Sequence, residues 1–92
     1  QVFFSANNEN SETLAKKVQS SLIEALKPSS EREIKKADGS IYLLKQAKLP
    51  AILVECGFLS NEAEQQKLLD DNYQKQVAWA IYGGIIQYFS EK

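Results

Sequence analysis

The chain has no histidine, no methionine and a single cysteine in 92 residues. Without histidine, no serine or cysteine in it has an imidazole to activate it, which excludes Ser–His and Cys–His nucleophiles built from this chain alone. A zinc site made only of its carboxylates would be unusual, so the chain by itself is a poor metal site. Cys56 has no second cysteine to pair with, so no intrachain disulfide forms. No segment approaches the roughly 20 apolar residues of a membrane span, and no signal-peptide pattern is visible. The formal net charge of −1 gives no electrostatic pull toward nucleic acid or an anionic membrane. Internal repeats and low-complexity stretches are also lacking. The missing methionine, with an opening directly on Gln1-Val2-Phe3-Phe4, reads as a fragment whose start, including any targeting signal, lies upstream.

What is present is one small core's worth of apolar residues, 43% of the chain, enough for one domain or part of one. The most informative run is Pro50-Ala51-Ile52-Leu53-Val54-Glu55-Cys56-Gly57-Phe58-Leu59-Ser60-Asn61. Its apolar segment, bounded by proline and glycine, predicts a short, fully buried strand placed centrally in a parallel or mixed sheet. Glu55 ends that strand. A carboxylate beside a dry strand costs several kcal/mol unless it is paired, protonated or turned into a cleft. In open α/β sheets such clefts lie beyond the carboxyl ends of the strands.

Around this run the pattern is α/β. Val2 to Ser5 predicts a first strand, and Asn7 to Ser11 is rich in helix-capping residues. Leu14, Val18, Leu22 and Leu26, widened by Ala15, Ile23 and Ala25, mark an amphipathic helix that Pro28-Ser29-Ser30 ends. Residues 31–39 are polar and poorly patterned apart from Ile34. Asp38-Gly39 is a turn signal leading to a short strand over Ile41 to Leu44, then a connector over Lys45 to Leu49. Asn61 and Glu64 form a capping box for a short helix through Leu69, and Asp71 with Gln74 repeats that logic for a longer one. In the last helix Tyr73, Val77, Ile81, Ile85 and Tyr88 follow one stripe, with Ala78, Tyr82 and Phe89 beside it. Strand, helix, strands, helix, helix leaves too few strands to cover both helix faces.

Glu55 is the leading candidate for proton transfer, since a partly buried carboxylate acquires the raised pKa that acid–base work at neutral pH needs. The competing reading is a structural carboxylate paired with Arg32 or a lysine, or accepting backbone N–H bonds. Gly57 fits a sharp turn or a close ligand approach, and equally a plain turn glycine. Cys56 alternates with Glu55, points to the opposite face, and reads as a buried, inert thiol. Ser5, Ser11 and Ser60 sit where caps and turns use a hydroxyl. Trp79, Tyr82, Tyr88 and Phe89 offer stacking surface for a sugar or base, but their helical spacing reads mostly as core. Lys16-Lys17 and Lys35-Lys36 read as solvated faces.

Val54-Glu55-Cys56-Gly57-Phe58-Leu59-Ser60-Asn61 resembles the V-E-x-G-F-x-S-N signature of the zinc-dependent N-acetylmuramoyl-L-alanine amidases. Arg32 to Lys35 is similar to that family's R-x-[IV]-K stretch, Ile41 to Lys45 to the strand before its P-A-x-L-V-E strand, and Tyr73 to Phe89 to its closing helix. Val2 to Ser5 and the helix from Ser11 resemble the segment after its last zinc histidine. The likeness runs nearly end to end and is nearest the germination-specific, spore-cortex type. It implies an α/β fold, of which residues 1–92 are the carboxyl-terminal half of one catalytic domain: a three-layer mixed sheet flanked by helices. It implies hydrolysis of the amide between N-acetylmuramic acid and L-alanine in peptidoglycan, outside the cytoplasm in the cell wall or forespore cortex region.

The resemblance further implies a Zn2+ held by two histidines and a glutamate upstream of Gln1, and Glu55 as the catalytic residue serving the attacking water and the departing amine. Gly57 keeps the rim of the substrate site low. Arg32 contacts substrate carboxylates or pairs with a surface acid, and the second is favoured. The expected partners are the peptidoglycan glycan–peptide substrate and the amino-terminal half of the same domain, with no nucleic acid, and with self-association of the isolated fragment through open strand edges. The isolated chain is expected to be inactive. A rival of a different class is a non-catalytic partner-binding or scaffold α/β module in which Glu55 is structural.

Overall fold

The computed structural model describes residues 1–28, 31–56 and 62–91. The elements run β1 (Val2–Phe4), α1 (Asn10–Leu26), β2 (Lys35–Lys36), α2 (Tyr42–Gln46), β3 (Ile52–Val54), α3 (Glu62–Leu69) and α4 (Asp71–Ser90). The strands form one mixed sheet in the order β2-β1-β3, with β2 parallel and β3 antiparallel to β1. Alternation along β1 sends Val2 and Phe4 to one face, where both are buried with Ala15 of α1, and Leu22, Ile34, Ile52 and Val54 pack around them. On the other face Phe3 is half-buried and Leu53 is 41% exposed.

The predicted first strand, α1 and the two closing helices are all present. The segment expected as a strand over Ile41 to Leu44 is instead the helix α2. Asp38 Oδ1 accepts from the Ser40 N–H at 2.8 Å, the Ile41 N–H bonds the Asp38 carbonyl and the Lys45 N–H the Ile41 carbonyl, so the turn winds the chain straight into a helix. Only Leu44 goes inward, while Leu43 is 80% exposed; a four-residue apolar run carries no period that separates the two outcomes. The carbonyls at the end of α2 that a helix leaves unmatched are met from the β1–α1 loop. Ser5 Oγ donates to the Leu44 carbonyl at 2.7 Å, Asn7 Nδ2 to that of Lys45, and Asn8 Nδ2 to that of Lys48 at 3.2 Å.

Two further differences concern the sheet. Lys35-Lys36, expected as a solvated face, is exposed and also forms β2, because the Ala37 N–H and the Phe4 carbonyl close at 2.8 Å and continue the ladder from β1. β3, expected to be central and fully buried, is an edge strand among the described residues and is only half-buried. The buried Ser11 anchors its start: Ser11 Oγ accepts from the Ala51 N–H at 2.9 Å. Ser11→Ala strands that N–H and is expected to cost about 1–3 kcal/mol, read as a lower urea midpoint at unchanged m-value.

The cap of α4 lies one residue earlier than expected. Asp70 Oδ1 accepts from the N–H groups of Asn72 and Tyr73 at 2.8 and 3.1 Å, and the Gln74 amide reaches back to the Leu68 carbonyl. Asp70→Ala is expected to lower stability by about 1 kcal/mol, checked by thermal melting. The capping box at Asn61 lies outside the described residues. Along α4 Val77, Ala80, Gly84 and Tyr88 are buried, and the helix packs along α1. Trp79, Tyr82 and Phe89, expected as core, are exposed, Trp79 by 74%, because they occupy the sides of α4 turned away from α1.

Candidate active site

The end of β3 is held by a closed pair of backbone bonds. The Glu55 N–H bonds the Gln1 carbonyl at 2.8 Å, and the Gln1 nitrogen donates to the Glu55 carbonyl at 3.1 Å. Gln1 is itself tied across the sheet, its Nε2 donating to the Glu33 carbonyl at 2.8 Å. The main chain of Glu55 is therefore fixed on both sides while its side chain is exposed. The partly buried setting expected for the carboxylate is not supplied by the described residues, since β3 is an edge and nothing described lies beyond it.

Glu55 opens onto a cleft of about 140 Å³, whose walls include Leu22, Leu26, Arg32, Val54, Glu64 and Tyr73. Arg32, exposed at the rim, is held from below where Gln19 Nε2 donates to its carbonyl oxygen. Burial, then the neighbouring Cys56 and Glu64, raises the Tyr73 phenol above its ordinary value, so it is a protonated donor at neutral pH. The structure thus brings Arg32 and Glu55 to one cleft. Gly57 lies outside the described residues.

Cys56, expected to be buried and inert, is exposed. Its strand ends at Val54, so strict alternation no longer governs which way it turns. Sequence reasoning did not find Glu64 and Tyr73 as cleft residues. Both start helices, and helix periodicity marks them only as cap and stripe. Among the described residues no three histidine, cysteine, aspartate or glutamate side chains come together as a metal site. With no histidine in the chain, the residues present do not fit a zinc centre.

Comparison with known proteins gives a consistent result. The family model described as N-acetylmuramoyl-L-alanine amidase matches residues 1–87. The germination-specific N-acetylmuramoyl-L-alanine amidase of Bacillus subtilis is 39% identical over 92 residues, which cover 100% of this chain and 38% of that protein. Among solved structures, the CwlD amidase of Clostridioides difficile, in complex with the GerS lipoprotein, superposes with a TM-score of 0.93 at 43% identity, covering 100% of this chain and 46% of that one. The amidase AmiC2 of Nostoc punctiforme superposes with a TM-score of 0.85 at 28% identity, covering 97% and 47%. The chain spans less than half the length of these relatives.

Proposed function

The chain belongs to the N-acetylmuramoyl-L-alanine amidase family, and from that premise we propose that it is the carboxyl-terminal part of a peptidoglycan amidase catalytic domain, with Glu55 as its proton-transfer residue. The observation that carries this reading is the placement of Glu55: backbone clamped on both sides to Gln1, side chain exposed at the mouth of a cleft beyond the end of a strand. The bond cut is the amide between the lactyl group of N-acetylmuramic acid and the L-alanine of the peptide stem. The setting is cell-wall or spore-cortex remodelling, outside the cytoplasmic membrane, where peptidoglycan lies. No helix among the described residues is long and apolar enough to cross a membrane.

Hydrolysis of an amide adds water across the C–N bond. The attacking water gives up one proton, and the departing amine must gain one. A carboxylate within reach of both does this without net change: Glu55 accepts the first proton as general base, delivers it to the nitrogen as general acid, and returns to its starting state. The rigid main chain keeps that carboxylate in place while the proton moves. Arg32 stands at the rim of the same cleft, where a guanidinium attracts carboxylates of a peptide stem. Zinc belongs to the reading only through residues outside these 92, and no step performed by this chain runs through it. A protein partner belongs to the reading too, since the Clostridioides difficile relative was solved with a lipoprotein.

The test joins the chain to the part of the Clostridioides difficile amidase that it does not cover. The joined protein is expected to release stem peptides beginning with L-alanine from purified peptidoglycan, and the 92-residue chain alone to release none. A joined protein that folds and binds zinc yet cuts nothing would contradict the assignment.

A further inference from the structure

Glu64 and Leu68 are the half-buried positions of α3, and its other residues are exposed. Standing four apart, the two share one side of the helix. A helix that leans on a core keeps such a side apolar, yet α3 places a carboxylate there. That carboxylate lines the cleft onto which Glu55 opens, and Arg32 lines the same cleft. A guanidinium has five N–H donors and a carboxylate about four acceptor sites, so bonds within the chain, a capping bond of Glu64 included, leave each with capacity for a ligand.

The rest of the wall is largely apolar, with Leu22 and Leu26 of α1 and Val54 of β3. A volume of about 140 Å³ is that of about five waters, which admits a short run of methylenes and excludes a sugar ring. The ligand that matches this lining has an unbranched aliphatic stem and, at its end, a cation for Glu64 and an anion for Arg32. The third residue of a peptidoglycan stem is a diamino acid, and in diaminopimelate the far carbon of its side chain carries an ammonium and a carboxylate together. That residue stands two beyond the scissile nitrogen, about 7 Å of extended chain, so its side chain reaches a cleft that starts at Glu55.

We propose that the cleft is a specificity subsite for the free end of a stem diaminopimelate, with Glu64 taking its ammonium, Arg32 its carboxylate, and Leu22, Leu26 and Val54 covering its methylenes. The inference rests on the amidase reading and deepens it, because it names which stems the enzyme selects. Cross-linking of the stem acylates that ammonium and removes the charge that Glu64 meets, so stems without a cross-link are preferred. A lysine side chain keeps the ammonium and lacks the carboxylate, so it meets Glu64 alone. A guanidinium and a carboxylate held to one recess thus read two charges on one carbon, which neither does alone.

The test uses the joined protein and four disaccharide–peptides that differ at the third stem residue: diaminopimelate, the same with its far amine acetylated, the same with its far carboxylate amidated, and lysine. Each loss of a charge is expected to lower kcat/KM by about ten- to a hundredfold, the range of a hydrogen bond to a charged group. Glu64→Gln is expected to abolish the discrimination against the acetylated amine, and Arg32→Gln that against the amidated carboxylate and lysine. Glu64→Asp, which keeps the charge, is expected to retain the preference. These are ratios within one sample, so a variant that is only partly folded still reports them. Equal rates on all four substrates overturn the proposal, as does a preference that survives loss of the residue assigned to it. Calorimetric binding of the four stem peptides without the sugar is read alongside. Discrimination in binding without cleavage counts against the amidase function alone, and cleavage without discrimination counts against the subsite alone.

Discussion

Glu55→Gln in the assembled amidase domain is expected to lower stem-peptide release by about 10²–10⁴-fold, the range that a general acid–base residue supplies. Glutamine keeps the size and the hydrogen-bonding atoms of the side chain but neither takes nor gives the proton. The fold is expected to be unaffected, since Glu55 holds its place through backbone bonds to Gln1 that the substitution leaves intact, and its side chain is exposed. Melting temperature and zinc content should match those of the unaltered domain. Glu55→Asp retains the proton chemistry with the carboxylate drawn back by one methylene, so its activity should fall between the two. If the chain were a non-catalytic scaffold module, Glu55→Gln would leave turnover unchanged.

Gly84→Ala is the substitution expected to damage the fold most for the least added volume. α1 and α4 cross at Gly84, where an added Cβ would lie 2.6 Å from Val18 Cα, 3.0 Å from the Lys17 carbonyl oxygen and 3.0 Å from the Val18 nitrogen. All three are backbone atoms, so no side chain can swing aside and the helices themselves must separate. That separation also strains the bond from Ser21 Oγ to the Ala80 carbonyl, 2.6 Å, which ties the same two helices. Overpacking of this kind costs about 1–3 kcal/mol, and at about 4–8 °C per kcal/mol for a domain of this size the loss is plain in a thermal melt. Gly83→Ala is the internal control. Its Cβ meets only Ser21 Oγ at 3.4 Å, and replacing a helical glycine by alanine is worth up to about 1 kcal/mol in favour of the fold. Neighbouring glycines thus carry opposite expected signs. Equal effects at the two positions would place the helix crossing elsewhere.

How much of this was legible in the sequence depended on the range of the interaction. The α1 stripe and the extent of α4 follow from helical periodicity, and β1 from its β-branched and aromatic residues, all local signals. β2 was missed because two lysines carry no apolar pattern; they become a strand only through backbone bonds to Phe4 and its neighbours, distant in sequence. α2 was misread because Ile41 to Leu44 is too short to show a period, and the Asp38 turn decides it. Tyr88 is buried as expected, but Trp79, Tyr82 and Phe89 are exposed, because periodicity shows that a side is apolar but not what covers it. That Glu55 stands just past the end of a strand was legible from the apolar run before it, whereas Glu64 and Tyr73 reach the cleft beside it through the packing of α3 and α4, which leaves no mark in the sequence.

The most direct measurement is mass spectrometry of the products formed from purified peptidoglycan in heavy-oxygen water by the assembled domain and by its Glu55→Gln form. The amidase assignment predicts one heavy oxygen in the lactyl carboxylate of N-acetylmuramic acid and a free amino group on L-alanine, both nearly absent with Glu55→Gln. Cleavage at another bond, or the same labelled products at an undiminished rate from the Glu55→Gln form, would contradict it.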